Sequence, residues 1–524
     1  MPVHTGPNLG MHYGYTDGEN GWGANLTADL KKIDTLLHGR VKNRSTNAPP
    51  GTPSDGDRYI VGQSPTGAWI SHANHVAVYD GLGAAWVFYA PAKLWQIHSE
   101  DDGAQYVWNG TAWAMATCVE AAYFANLQDA VDAAAVNGAV VHIPRSSNPV
   151  APYGYWGGSS PAFTGLEIPG NVRVRCDPGT LLSFANYLGD SNKDMVQING
   201  GNAGISGCSI LGTNGAGTGC GIHINGDALN PLIGAYVEDV DIWNTSSWNV
   251  KITPVSVETH LTRVFMGGAV AGGCVLVDFD PITGANSQTR FTRCSFNSAG
   301  YGTFGGGIER GQVHIVGAMS TEFHHCGFQP LVDSAFISLE STCHQVSVRD
   351  CAFYREIGSC TKYMLTVSGS SMNVLLDGVT VYDVNTDAVR LYKSWGGTGG
   401  CYDLTMSNVI CYSGSDPGGV TDIVFGSGTD DHLTMENVRS QCFTTGAERR
   451  LRVTSYANVL RLGNMGAYSS ETARGAPLGL PTDSLTNIKA WADVHAGDMA
   501  MDATNNRLVI YTGSKWQYPT MNDA

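Results

Sequence analysis

Between residues 208 and 438 apolar and polar positions follow one recurrent phrase: a small or polar residue, then Cys or Val, any residue, and a large apolar one. The inner Cys or Val falls at Cys208, Val240, Val264, Cys294, Cys326, Cys351, Val379, Val409 and Val438, at intervals of 24 to 32 residues. A repeat of that length implies a solenoid in which each circuit stacks on the next. Within the phrase apolar and polar residues alternate, which is the period of a strand. The pattern therefore predicts an all-β parallel β-helix of roughly ten circuits.

Each circuit holds a second apolar strand: Ile222/Ile224, Val275/Val277/Phe279, Val313/Ile315, Ile337/Leu339, Leu365/Val367 and Val389/Leu391. Successive side chains of a strand point to opposite faces. With those residues inward, the outward set reads His223, Asn225, Asp278, Asp280, His314, Ser338, Glu340, Thr366, Ser368, Arg390 and Tyr392. Acids, a histidine and an arginine thus share one face. Coils stack about 4.8 Å apart, which sets Asp278 or Asp280 and Glu340 roughly 10 Å apart at the backbone, with His314 on the coil between them.

The flanks read differently. In residues 1–46, Leu26, Leu30, Ile33, Leu36 and Leu37 form a stripe at helical spacing, suited to association. A Pro/Gly linker runs from Asn47 to Asp57. Residues 57–115 predict a small aromatic-rich β domain, because Asp80-Gly81 and Asn109-Gly110 are hairpin signals followed by Trp86 and Trp113. The same strand, Gly turn and Trp recur at Val509–Trp516, so 476–524 is expected to be a C-terminal β module. An Ala-rich helix over 127–134 and a strand over 138–144 open the solenoid, expected over 124–465.

Composition narrows the function. Only 15% of residues are charged and Gly is abundant (66 of 524), as tight turns and buried stacks require. A net charge of −16 disfavours nucleic acid, since no basic stripe is present to neutralise phosphates. There is no run of 18 apolar residues and no charged-then-apolar N-terminus, so neither a membrane span nor a secretory signal is expected, and the chain is expected to fold in a cytoplasm. Thirteen cysteines, four of them at one inward position of the repeat, predict free buried thiols. No Cys-x-x-Cys pair indicates zinc, and no metal or other cofactor is implied.

The N-terminal motifs Gly56-Asp57-Arg58-Tyr59-Ile60-Val61-Gly62, Pro65-Thr66-Gly67-Ala68-Trp69 and Ala84-Ala85-Trp86-Val87-Phe88-Tyr89 resemble a domain of unknown function found in tail proteins of bacteriophages and prophages. Leu127–Ala134 followed by Gly138–Pro144 resembles the N-terminal cap of pectate-lyase-type β-helices of phage tailspikes, with Leu166–Val174 similar to their first coil. Where those proteins often carry an Asp-Asp pair before the cap helix, this chain has Val119-Glu120-Ala121. The resemblance implies a right-handed β-helix, a homotrimer, attachment to phage tail or baseplate proteins through the N-terminus, and a place in the virion tail, acting at the bacterial surface.

Taken with that resemblance, the outward face predicts a depolymerase of capsule or O-antigen polysaccharide. Asp278, Asp280, Glu340 and His314 are the candidate catalytic group. An acid and a base of an inverting glycosidase stand about 6.5–9.5 Å apart with water between them. Tyr301, Phe304, Glu309, Arg390, Tyr392 and Trp395 are candidate substrate-binding residues, with Trp243 and Trp248 as further aromatics. Hydrolysis is preferred to elimination, because paired arginines and an Asp-rich calcium site are not evident; an esterase stays open, as triads are recognised in space. The alternative is a receptor-binding or structural tail fibre protein without turnover.

Overall fold

The computed structural model describes residues 4–5, 10–18, 20–37, 39–124, 127–136, 138–145, 165–184, 192–212, 217–226, 231–270, 272–278, 287–297, 311–329, 334–355, 363–383, 388–394, 401–413, 420–424, 432–442, 450–454, 459–462, 468–469, 482–483, 499–502, 507–511 and 514–517. The chain forms two compact units, Met1–Pro144 and Arg145–Ala524.

In the first unit, helix α1 spans Trp22–Leu37. A three-stranded antiparallel sheet joins Arg58–Ile60, Val76–Asp80 and Ala85–Tyr89. Its core is Trp69, fully buried, with Trp86 edge-on at 5.0 Å. A small domain has little else to bury, so aromatics carry its core. A second antiparallel ribbon joins Gln96–Ser99, Ala104–Trp108 and Trp113–Glu120. Both hairpins form where the sequence predicts them, but Asp80 pairs with Ala85 and Trp108 with Trp113, so each loop is longer than a two-residue turn. Asn109 closes its loop by accepting from the backbone N–H of Thr111 and Ala112, each at 2.9 Å, an Asx turn. Helix α2, Leu127–Ala135, buries Leu127, Ala130, Val131 and Ala134 against the strands Trp113–Glu120 and Val140–Ile143.

The second unit is the parallel β-helix that the repeat predicts. One long sheet has twelve strands among the described residues, all parallel, beginning with Leu166–Ile168 and ending with Tyr468–Ser469. In register along it lie Val196, Ile222, Val250, Val275, Val313, Ile337 and Leu365, each buried. Each later circuit then runs through two further strands, for example Met319–His324 and Gly327–Phe328, which pair in parallel with His344–Arg349 and Ala352–Arg355 of the next.

The phrase marks the corner between those two strands. Its first residue adopts a left-handed conformation in every copy: Gly207, Asp239, Arg263, Arg293, His325, Asp350, Gly378, Asn408 and Asn437, with φ between 52° and 81°. Such a φ turns the chain sharply and is disfavoured for β-branched residues, which is why a small or polar residue stands there. The following Cys or Val points inward at 4% exposure or less. Two residues on comes the large apolar side chain. Mid-rod these are Phe296, Phe328 and Phe353, with Phe296 over Phe328 at 4.5 Å; in the strand before the corner Phe291 lies parallel over Phe323 at 4.8 Å. Twelve cysteines fall among the described residues; all are free thiols and all but Cys118 are buried.

Candidate functional site on the outer face of the long sheet

Outward residues of the long sheet form two rows. The first runs Gln197, His223, Lys251, Leu276, His314, Ser338 and Thr366, paired coil to coil. The second includes Val316, Glu340 and Ser368. Asp278 follows Val277, the partner of Ile315, and so stands at the level of Val316. Asp278 and Glu340 therefore occupy one row two coil rises apart, roughly 10 Å at the backbone. The β alternation that makes Val275, Val277, Ile337 and Leu339 core also turns these two carboxylates outward.

Glu340 is about one-third exposed, and its Oε2 lies 2.9 Å from Nε2 of His314, whose side chain is 1% exposed. That approach lies off the line of a straight hydrogen bond. His314 Nδ1 meets the hydroxyl of Ser338 at 2.7 Å, and the ring lies nearly parallel to Trp248 at 6.3 Å. The expectation that His314 and Ser338 line an open surface is corrected: both are covered, at 1% exposure. His314 thus faces Glu340 from beneath the surface. Asp278 is half-buried, and its backbone N–H donates to Ile252 O at 2.9 Å.

Tyr392 is also corrected. The pairing of Ala388–Ser394 with Val420–Val424 shifts between Arg390 and Tyr392, and Tyr392 comes opposite Leu365, in the inward row. Leu391 and Tyr392 are both fully buried, so Tyr392 is core rather than a sugar contact. A one-residue slip turns a side chain to the other face. Arg390 is half-buried and stands opposite Asp422. Asp280, Tyr301, Phe304, Glu309 and Trp395 lie outside the described residues. Trp248 is buried, whereas Trp243, 41% exposed, stacks on Phe265 at 4.5 Å.

Two features escaped the sequence reading. His223 Nδ1 contacts Asp194 Oδ2 at 2.6 Å, and the other carboxylate oxygen accepts from the backbone N–H of Cys220 at 2.8 Å. Burial would push the Asp194 carboxyl up, but the hydrogen bond and charge of His223 hold it below its ordinary value. On the third sheet Tyr354, Tyr382 and Tyr412 pair in one outward row with ring separations of 6.1 and 5.2 Å. In both features the partners sit about one repeat apart, and that spacing was the available signal.

Residues 27–114 match the family described as "Protein of unknown function (DUF2793)". No curated protein matches the chain. Among solved structures, ORF18 of Geobacillus virus E2 is 11% identical, with 92% of this chain and 99% of that chain covered and a TM-score of 0.41. The tailspike protein of Acinetobacter phage vB_ApiP_P1 is 12% identical, covering 92% and 76%, also with a TM-score of 0.41. The A-module of the Azotobacter vinelandii mannuronan C-5 epimerase AlgE4 is 12% identical, covering 64% and 94%, with a TM-score of 0.37.

Proposed function

We propose that the chain is a phage tailspike that holds a bacterial capsule or O-antigen polysaccharide along its rod and hydrolyses it with Asp278 and Glu340. The observation that carries this reading is the placement of the two carboxylates in one outward row, two coils apart, with His314 2.9 Å from Glu340. Side chains leaning together across roughly 10 Å of backbone reach the separation of an inverting pair, with room for a water between them. One carboxyl protonates the leaving glycosidic oxygen, and the other takes a proton from the attacking water. Glu340 suits the base, because His314 at 2.9 Å holds its carboxylate in place. His314 is a positioning residue, fixed by Ser338 and Trp248. The motifs of 56–89 support attachment through the N-terminal region, and tail or baseplate proteins are the partners this reading assigns to it.

Purified protein incubated with host polysaccharide should release short oligomers with new reducing ends. Glu340→Gln should lower that rate at least ~100-fold, the scale of a lost acid or base, while Glu309→Gln should leave it unchanged. Full cleavage by Glu340→Gln overturns the assignment. A receptor-binding protein without turnover is the second reading. The outward tyrosine row favours it, offering contact without an acid–base pair. It requires glycan retention with no reducing ends from any host polysaccharide.

A further inference from the structure

A groove of about 350 Å³ crosses four consecutive coils on the outer face of the second sheet, away from the long sheet. Glu322, Ser347, Leu375 and Thr405 pair in one row along its floor. Arg349 and Asn373 stand on its walls. Side chains in such a row repeat at the coil rise, about 4.8 Å, which is close to the length of one pyranose in an extended chain. The lining mixes hydroxyls and amides with the charged groups of Glu322, Arg349 and Asp403 and the outward apolar side chain of Leu375, a polar composition that suits a carbohydrate.

Its charges are unequal in availability. Arg290 Nε meets Glu322 at 2.9 Å, and His324 meets the same carboxylate at 3.3 Å. These partners outweigh the effect of burial and hold the Glu322 carboxyl below its ordinary value. Arg349 is exposed and makes no side-chain hydrogen bond or ion pair among the described residues. Its register neighbour Asp377 accepts hydrogen bonds from the Ser407 hydroxyl at 2.6 Å and from Asn408 at 3.1 Å and feels the Arg349 charge without a direct ion pair. The cation is therefore available to a ligand while the carboxylate on the floor is already satisfied.

We propose that this groove is a second, non-cleaving site that anchors an extended polysaccharide, with Arg349 pairing an acidic substituent such as a uronate and Leu375 lying under a sugar ring. The inference rests on the reading of the protein as a polysaccharide binder and adds an anchor on a different sheet from Glu340. Holding one polymer at two places raises its local concentration at the cleavage face without new chemistry.

The test uses the full chain on an array of bacterial capsule and O-chain fragments that includes acidic and neutral repeats. Leu375→Asp and Arg349→Ala should each weaken retention of acidic fragments at least tenfold while the thermal midpoint stays unchanged, as both side chains point outward. Glu340→Gln should retain those fragments like the parent chain. Retention of acidic fragments that survives both groove substitutions overturns the proposal, as does an array on which the parent chain holds no acidic fragment. Loss of cleavage in Glu340→Gln with the groove variants still cleaving short oligomers would leave the hydrolase reading intact whichever way retention falls, so the two readings fail separately.

Discussion

At the scale of single residues, the left-handed corner explains most about this sequence. Nine successive circuits spend a residue at positive φ, and the chain uses Gly, Asn, Asp, Arg or His there. Asn408 adds more than tolerance of the geometry. Its Nδ2 donates to Asp377 Oδ1 at 3.1 Å, and its Oδ1 accepts from Asn437 Nδ2 at 2.9 Å, so one corner is tied to the next. Asn408→Val places a β-branched side chain at φ 52° and removes both bonds. The conformational cost alone is about 1–2 kcal/mol, and each lost hydrogen bond adds about 1 kcal/mol. A thermal or denaturant melt should therefore show clear destabilisation for Asn408→Val and a smaller one for Asn408→Gly, which keeps the φ and loses only the bonds. Equal stability of the valine variant and the parent would contradict this account of the corner. The polar first position of each phrase is thus legible in sequence as a pattern, but its cause is not, because nothing in a string of letters states the sign of φ.

Elements show both the strength and the limit of two-residue alternation. It placed Val275, Val277, Val313, Ile315, Ile337 and Leu339 in the core, and they are buried. It put Asp278 and Glu340 on one outward face, and the register places them in a single row of that face. It failed at Tyr392, because a bulge shifts the register of that strand by one residue and leaves no mark in its composition. It also misjudged His314 and Ser338: alternation gives the direction of a side chain, not what lies over it. The phenylalanine stack follows from the same register. Phe323 is fully buried, lies flat against Phe291 at 4.8 Å, and touches Phe296 and Phe328 at 6.0 and 5.8 Å. Phe323→Ala should cost about 3–5 kcal/mol, since neighbours pinned by strand pairing on both sides cannot collapse into the gap. Denaturant titration should register that loss, whereas Phe323→Leu should lose much less. A small effect of the alanine change would mean that the coils close around the vacancy.

On the scale of the whole molecule, the apolar stripe of α1 raises the question of what completes the structure. Its polar side is fastened to its own unit. Asp29 accepts from the backbone N–H of His12 at 2.7 Å, the carbonyl of Thr35 accepts from Arg58 at 2.9 Å, and Lys31 pairs with Asp80 at 2.6 Å. That leaves Leu26 at 43%, Leu30 at 56% and Leu37 at 72% exposure, with Ile33 partly exposed between them. Their spacing of four, three and four residues is an a/d seam, with Leu30 and Leu37 at a and Leu26 and Ile33 at d. Leu at both a positions, with Leu26 and Ile33 at d, is compatible with the homotrimer that the tailspike resemblance implies. Two heptads are too short to hold an assembly alone, so the seam should add to other contacts between copies rather than create them. Leu30→Asp with Leu37→Asp in the full chain should raise the protein concentration at which oligomers dissociate by at least ~10-fold. The melting of the individual chain should be unchanged, because neither side chain packs on its own unit. Sedimentation at a series of concentrations reads this directly. A trimer equally resistant to dilution in parent and double variant would remove α1 from the interface, and a parent chain that sediments as a monomer throughout would remove the trimer itself.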